Sequence, residues 1–499
     1  MAGNLKKVGY ATYPSVKLQS METDPKTGKT KFTFIKELLF GDFMSPYIED
    51  GAYVTQTVIS GKKKNEYDEY IKVHCRNADG WIKRSEMQFD RPLEVNFIDV
   101  GQGDGCHIVT PDDKHFLIDA GKSDNMYRFL KWRFNLRTSK NVAPPFTVVI
   151  SHSDTDHYLG FGAIFAKSKE EEPQIKIKKV YHNGMIEGAG ASLGRDIKYN
   201  GKTYVTDLCD TDEDYQERIK HVKAGPYINM LKKTDAPKIG VRKGSGPLYD
   251  KNGLKMEIMG PVAEEIDGKA ALPSFGDTGK TKNGHSVVVK LTIGHLRLLA
   301  GGDLNTESEY HLIKAYSGID VAALRKELDG KTKISDEERM EKEKLVQDAV
   351  LAAREFLEVD IAKSCHHGSA DFSSEFLQVL NPIATIISSG DEEPHCHPRP
   401  DTLGTIGKYS RGKRSLIFST ELARSGKEFL ELKDLDLSAQ KKKERVVTVY
   451  GMINVRTDGE KVVIAQKLES AAKGRNWDLH MLEWNEKLGQ FEYISDNES

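Results

Sequence analysis

One stretch of seven residues constrains this chain more than any other: Ser151-His152-Ser153-Asp154-Thr155-Asp156-His157. It follows FTVVIS, a continuous apolar run that reads as a buried strand. Alternation at the strand's end sends His152 and Asp154 one way, and the turn that follows brings Asp156 and His157 beside them. Carboxylates gathered so closely repel one another and raise each other's pKa. Divalent cations resolve that conflict, so the pattern predicts two metal ions held at this loop.

The rest of the sequence says what surrounds such a loop. At 499 residues, with 38% hydrophobic and 30% charged side chains, the chain is expected to form two or three well-solvated units. No run of about eighteen apolar residues predicts a membrane span. The opening MAGNLKKVGYATYPSV has no apolar core of signal-peptide length, and the expected location is the cytoplasm. Cys75, Cys106, Cys209, Cys365 and Cys396 are scattered and form no CxxC pair, which excludes a zinc ribbon and a disulfide framework. A formal net charge of -2 gives no global attraction to nucleic acid, so a polyanion has to be held by a local basic surface or by the metals.

Residues 1–90 read as short strands. KFTFIKELLFGDFM and EYIKVHCRNADGWIKRSEMQF are the clearest, with a hairpin turn expected at Asn77-Ala78-Asp79-Gly80. The ending GWIKRSEM resembles the last strands of a bacterial Src-homology-type small β-barrel, which implies packing on a neighbour or binding of a protein partner. Residues 91–499 form the second expected domain. Its runs LEVNFIDVGQGDGCHIV and HFLIDAG are β-rich, and HSVVVKLTIG with LRLLAGG suits a hairpin. A helix is predicted over KTKISDEERMEKEKLVQDAVLAAREFLEVD, capped by Ser335 and Glu338, with Leu345, Val346, Ala349, Val350, Ala353, Phe356 and Leu357 on one face. Weakly periodic stretches near 186–280 and 421–446 read as insertions, the latter as a mobile charged excursion.

The metal loop has company. The segment 151–157 is similar to the HxHxDH motif of metallo-β-lactamase-fold hydrolases, with Asp154 where the second His usually stands. That substitution occurs with DVGQGDG (99–105) and FLIDAG (116–121). NGHSVVV (283–289), LLAGGDL (298–304), SCHHGS (364–369), IISSG (386–390) and His397-Pro398 follow in order. Together they resemble the hydrolase domain of ComEC-type competence proteins and its soluble relatives, over roughly residues 92–465. The resemblance implies an α/β fold, a four-layer αββα sandwich of two mixed sheets flanked by helices, here preceded by the small barrel.

It also implies roles. Asp119 orients the metal loop, His152 and Asp154 bind one ion, Asp156 and His157 bind the other, and Asp303 bridges both. His285 lies where many of these proteins place a further ligand, the alternative being a hydrogen-bonding His. Adjacent side chains leaving one strand cannot both face one ion, so His367 is expected as ligand and His366 as phosphate contact or proton donor, with the reverse assignment as the alternative. His397 is a candidate substrate contact or a structural turn residue. His182 reads as a satisfied loop histidine, and His107, His115 and His295 carry no expected chemistry. Zinc and manganese both suit the set, because Asp154 makes it harder than an all-histidine site.

Two ions generate hydroxide near neutral pH and offset charge on a phosphoryl oxygen, while Asp156 orients the nucleophile. The leading expectation is therefore a phosphodiesterase acting on DNA or RNA. Lys62-Lys63-Lys64, Lys176, Lys178, Lys179 and Lys441 to Arg445 are candidate backbone contacts, although such runs also serve simply as solvated surface. A small phosphodiester or cyclic nucleotide, and a non-enzymatic partner-binding scaffold, are the alternatives.

Overall fold

Apolar β-branched runs bounded by Gly and Asp dictate most of the architecture, and they do so in two compact units. The computed structural model describes residues 5–27, 29–59, 67–136, 141–165, 174–330, 334–390, 396–422, 426–430, 445–449, 451–472 and 475–494. The fold is mixed α/β. One unit comprises Met1–Asn96, Val109–Asp113 and Ala423–Ser499, and the other Phe97–Ile108 and Lys114–Leu422.

The first unit opens with a half-barrel. Its strands run in the order Met87–Gln88, Gly9–Ala11, Phe43–Pro46, Tyr67–Cys75, Ala78–Lys83, Ser15–Thr23 and Thr30–Leu39, with Thr55–Ile59 paired to Tyr67–Cys75. Alternating side chains Val16, Leu18, Leu38, Ile71, Val73 and Ile82 fill it. The hairpin after Cys75 turns at Arg76-Asn77 rather than at 77–80, with Cys75 paired to Ala78 and Arg76 taking φ 57°. Gly80 is instead a strand residue. A Cβ there would stand 2.8 Å from Leu18 and 2.9 Å from the Gln19 carbonyl oxygen, so the position needs a glycine for close packing.

Strands from the other end of the chain belong to the same unit. Met452–Thr457, Lys461–Ala472, Arg475–Asn485 and Gln490–Ile494 form an antiparallel meander. Leu39 and Phe40 share a core with Val463, Ala465 and Leu479. The Glu37 carboxylate accepts from the Asn476 backbone N–H at 2.7 Å, and the Asn476 side chain accepts from Glu37 N–H at 2.9 Å. Within 421–446, Gly426–Leu430 pairs with Arg445–Val449. Lys62 to Lys64 and Lys441 to Glu444 lie outside the described residues.

The second unit contains two large β-arrays. In one, His115–Ala120, Phe146–Val149, Ile177–His182 and Lys238–Gly240 run parallel. In the other, Tyr249–Lys251, Leu254–Gly260, Val288–Ile293 and Leu296–Ala300 are antiparallel, and Ile361–Lys363, Ala384–Ile387 and Leu416–Ser419 continue in parallel. The stretch 186–280 thus supplies strands to both. Its remainder makes a small sheet of Arg195–Tyr199, Lys202–Thr206, Lys269–Pro273 and Glu264–Ile266. Among the described residues no helix is long and apolar enough to cross a membrane.

Helices cover one face of the second array. Thr306–Ser317, Val321–Leu328, Asp336–Leu357 and Ser374–Leu380 bury Leu312, Val321, Val350, Ala353 and Phe376 against Val288, Leu299 and Ala362. Ser335 caps the long helix by accepting from Glu338 N–H at 3.1 Å. Its apolar stripe is narrower than the sequence pattern suggests, since Leu345 and Phe356 are 38% and 50% exposed.

On the first of these helices Glu309 is buried. Burial, with Asp371 and Glu375 nearby, pushes its carboxyl up to about 8 despite a hydrogen bond from Ser373 N–H. Its folded value therefore exceeds its unfolded one. The stability it contributes is complete below the ordinary carboxylate range and is lost as pH rises through 8. Thermal melts from pH 5 to 8.5 are expected to show Glu309→Gln flattening this alkaline decline; an unchanged slope would exclude Glu309 as its source.

Candidate metal centre

The site forms where strand ends meet. Asp119 closes His115–Ala120, the 151–157 loop follows Phe146–Val149, Asp303 follows Leu296–Ala300, and His366-His367 follow Ile361–Lys363. Carboxyl ends of parallel strands are where α/β sheets leave a crevice.

Asp119 organises the loop from below. Its φ of 57° turns the backbone so that Oδ1 accepts from Ser151 N–H at 2.8 Å, while Oδ2 takes the Ser151 hydroxyl at 2.6 Å and His157 Nδ1 at 2.8 Å. His152 Nδ1 lies 3.0 Å from Ser151 Oγ and 3.2 Å from Ser286 Oγ. His367 Nδ1 sits 2.9 Å from the Ser388 carbonyl oxygen and 3.2 Å from Asp104 Oδ1. Three buried imidazoles are thus buttressed at Nδ1, which fixes their ring planes and turns Nε2 inward.

Asp303 receives them. His157 Nε2 and His367 Nε2 stand 3.2 and 3.1 Å from Asp303 Oδ2, and His367 Nε2 lies 3.7 Å from Asp156 Oδ2. Among the described residues no hydrogen bond reaches either Nε2 or Asp303 Oδ1. The donor atoms of His152, His157 and Asp303 lie within 4.8 Å of one another, as do those of Asp156, His157 and His367, and of Asp104, Asp303 and His367. A tetrahedral ion with ligands at about 2.1 Å separates them by roughly 3.4 Å, so nitrogen and oxygen donors at these spacings fit a divalent cation.

Electrostatics agree with the geometry. Burial opposes charge on His157, yet the Asp303 and Asp119 carboxylates hold its pKa well above the ordinary value. Burial likewise opposes charge on His367, and Asp303 and Asp104 push it up to about 10. Asp303, despite burial, is held well below the carboxylate range by the same two imidazoles. The facing carboxylates thus favour positive charge at this spot, the kind of charge a divalent ion would bring.

The expected residues fall into two sets. His152, Asp156, His157, Asp303 and His367 converge, whereas Asp154 lies beside His152, with Oδ2 3.6 Å from its Nε2, and belongs to none of these donor groups. His285 stands apart. Its Nε2 is 2.7 Å from the Pro273 carbonyl oxygen and its ring packs on Phe275; the hydrogen bond fixes the ring there, and burial outweighs that bond to lower its pKa to about 3. His366 and His367 leave a tight turn rather than a strand. Both are left-handed, at φ 47° and 53°, and Gly368 follows at 79°. That reversal sends His367 into the cluster and leaves His366 outside it, its ring 5.9 Å from that of His397. Two consecutive left-handed side-chain residues cost about 1–2 kcal/mol each, which the buried contacts of His367 must offset.

Two residues central to the cluster have no counterpart among the expected ligands. Asp104 ends the GQGD run, and burial is overcome by Lys363 and His367, which pull it down to about 2. Lys363 is fully buried, paired with Asp104 and 3.7 Å from Asp303. The available signal was a lysine closing the apolar strand IAK, where only a buried counter-charge suits it.

Comparison with known proteins adds a distant relative. No family model matches the chain. It is 21% identical over 332 residues to ComE operon protein 3 of Bacillus subtilis (strain 168), a match covering 64% of this chain and 31% of that protein. The chain therefore aligns with less than a third of that relative's length.

Close approach of backbone makes the centre fragile at Gly103. Its φ is 104°, and a Cβ there would stand 1.7 Å from the Asp156 carbonyl oxygen. Gly103→Ala is expected to destabilise by about 2–4 kcal/mol in denaturant melts and to weaken metal uptake about tenfold or more. Uptake equal to wild type would show that this contact does not set the loop.

Proposed function

We propose that this chain is a metal-dependent phosphodiesterase with a metallo-β-lactamase-type αββα core, cleaving DNA or RNA with two divalent ions, Zn2+ or Mn2+. The observation that carries the proposal is the convergence of His152, His157 and His367, each held at Nδ1, on the Asp303 carboxylate. His157, His367, Asp156 and Asp303 would hold one ion, and His152, Asp154 and Asp303 the other.

Divalent ions held there would supply acidity to water near neutral pH and compensation of charge on a phosphoryl oxygen. The chain's own residues do the positioning. Asp156, still 18% exposed and 3.3 Å from Gln102 Nε2, would orient attacking water. His366 and His397 flank one side. Burial lowers the pKa of His366, which suits it to donate a neutral N–H to a phosphate oxygen. The likeness of the ordered motifs to ComEC-type hydrolase domains supports a nucleic-acid substrate, and the distant match to ComE operon protein 3 supports that likeness. The half-barrel is a candidate protein-binding module, and a cytoplasmic location follows the same proposal.

The test is metal content together with cleavage of single-stranded DNA, RNA and a chromogenic bis-phosphodiester after restoring Mn2+ or Zn2+. Asp303→Asn and Asp156→Ala are expected to lower kcat by about a thousandfold with folding retained. Cleavage of the small ester alone would sink the nucleic-acid reading, and full activity in both variants would sink the metal mechanism.

A further inference from the structure

The two ion positions are not alike, and the difference lies in a lysine. Asp154 is already neutralised: Lys282 Nζ sits 2.5 Å from its Oδ1, with the two side chains only 15% and 29% exposed. With its amide oriented to satisfy its neighbours, Asn283 donates to Asp154 Oδ2 at 2.6 Å and reaches His152 Nε2 at 3.3 Å. Both residues come from the end of one short helix, Thr278–Gly284. His285, the next residue, is held away on Pro273. Around His152 the ion would therefore find Asp154 masked, with His157, its ring centroid 4.2 Å away, as the neighbouring imidazole, whereas at the first position the lysine beside Asp303, Lys363, stands 3.7 Å off.

We infer that Lys282 is a gate on the second metal position, holding the place of that ion's charge until it is displaced. This rests on the metal-centre reading above. A divalent ion between His152 and Asp154 would meet the ammonium at contact distance from the same carboxylate, so the two cations compete for Asp154. Lys282 has somewhere to go. Glu187 Oε2 lies 3.5 Å from Nζ and is itself fixed by the Ser153 hydroxyl at 2.5 Å. The ammonium can shift onto Glu187, or onto the phosphate of an arriving diester, without losing a counter-charge. The resting protein then carries one tightly held ion at Asp303, and the second is taken up when Lys282 releases Asp154. The substrate's own phosphate would thereby help complete the centre.

The test is calorimetric titration of the metal-depleted full chain with Mn2+, alongside metal content after dialysis. Wild type is expected to bind in two steps, the second weaker by about tenfold or more. Lys282→Gln should strengthen the second step by about tenfold and leave the first unchanged, while Lys282→Arg keeps the steps apart. Two equivalent tight ions in wild type would overturn the gate, and that arm needs no variant to fold. A second step unmoved by Lys282→Gln, with its circular dichroism intact, would overturn it equally. Absence of any uptake would overturn the metal centre itself and the gate with it.

Discussion

A carboxylate with almost no exposure, facing two imidazoles across little more than 3 Å, is the constraint from which the rest of the second unit follows. Asp303 is 3% exposed and is met by His157 and His367. Desolvating an isolated carboxylate there would cost several kcal/mol, so positive charge must be present whenever the unit is folded. Each imidazole that supplies it needs a support at its other nitrogen, which brings in Asp119 and Ser388. Those supports in turn require loops that pass closer than side chains allow, which brings in Gly103 and the left-handed turn at His366-His367. The glycines and strained residues around the crevice are thus consequences of one buried charge.

Charge balance also explains why lysines enter a cluster of side chains that could hold a metal. Asp104, Asp119, Asp154, Asp156 and Asp303 face Lys282 and Lys363 across a small volume. Lys363 is sealed in, fixed to Asp104 and 3.3 Å from the Gly302 carbonyl oxygen, and reads as permanent scaffolding. Lys282 is at the rim, with two carboxylates to choose from. The same side-chain chemistry thus serves two purposes, and depth decides which.

How much of this was legible in the sequence depends on how local each cause is. The 151–157 loop announced itself because strand alternation and ligand type act within a few residues. The hairpin at 288–300 and the helix at 336–357 were likewise readable, being products of short-range pattern. Asp104 was not singled out, since an aspartate before glycine looks like an ordinary turn until Lys363 and His367 arrive from distant strands. His285 looked like a donor beside the motif, but Pro273, brought near by the small sheet, claims its Nε2. Which of His366 and His367 enters the cluster turned on two positive φ angles, which side-chain pattern does not encode. Strand pattern after residue 450 said β-sheet, yet could not say that Leu479 packs against Leu39.

That last contact has a consequence in time. During synthesis Glu37 emerges 439 positions ahead of Asn476, the residue whose amide and backbone it engages. The unit containing the half-barrel cannot close its second core until the meander has been translated, whereas the strands that carry the His and Asp cluster are by then available. Domains tend to fold as they emerge, in order from the N-terminus. Here the order is inverted: the middle of the chain can mature first, and the opening strands wait with Leu39 and Phe40 uncovered.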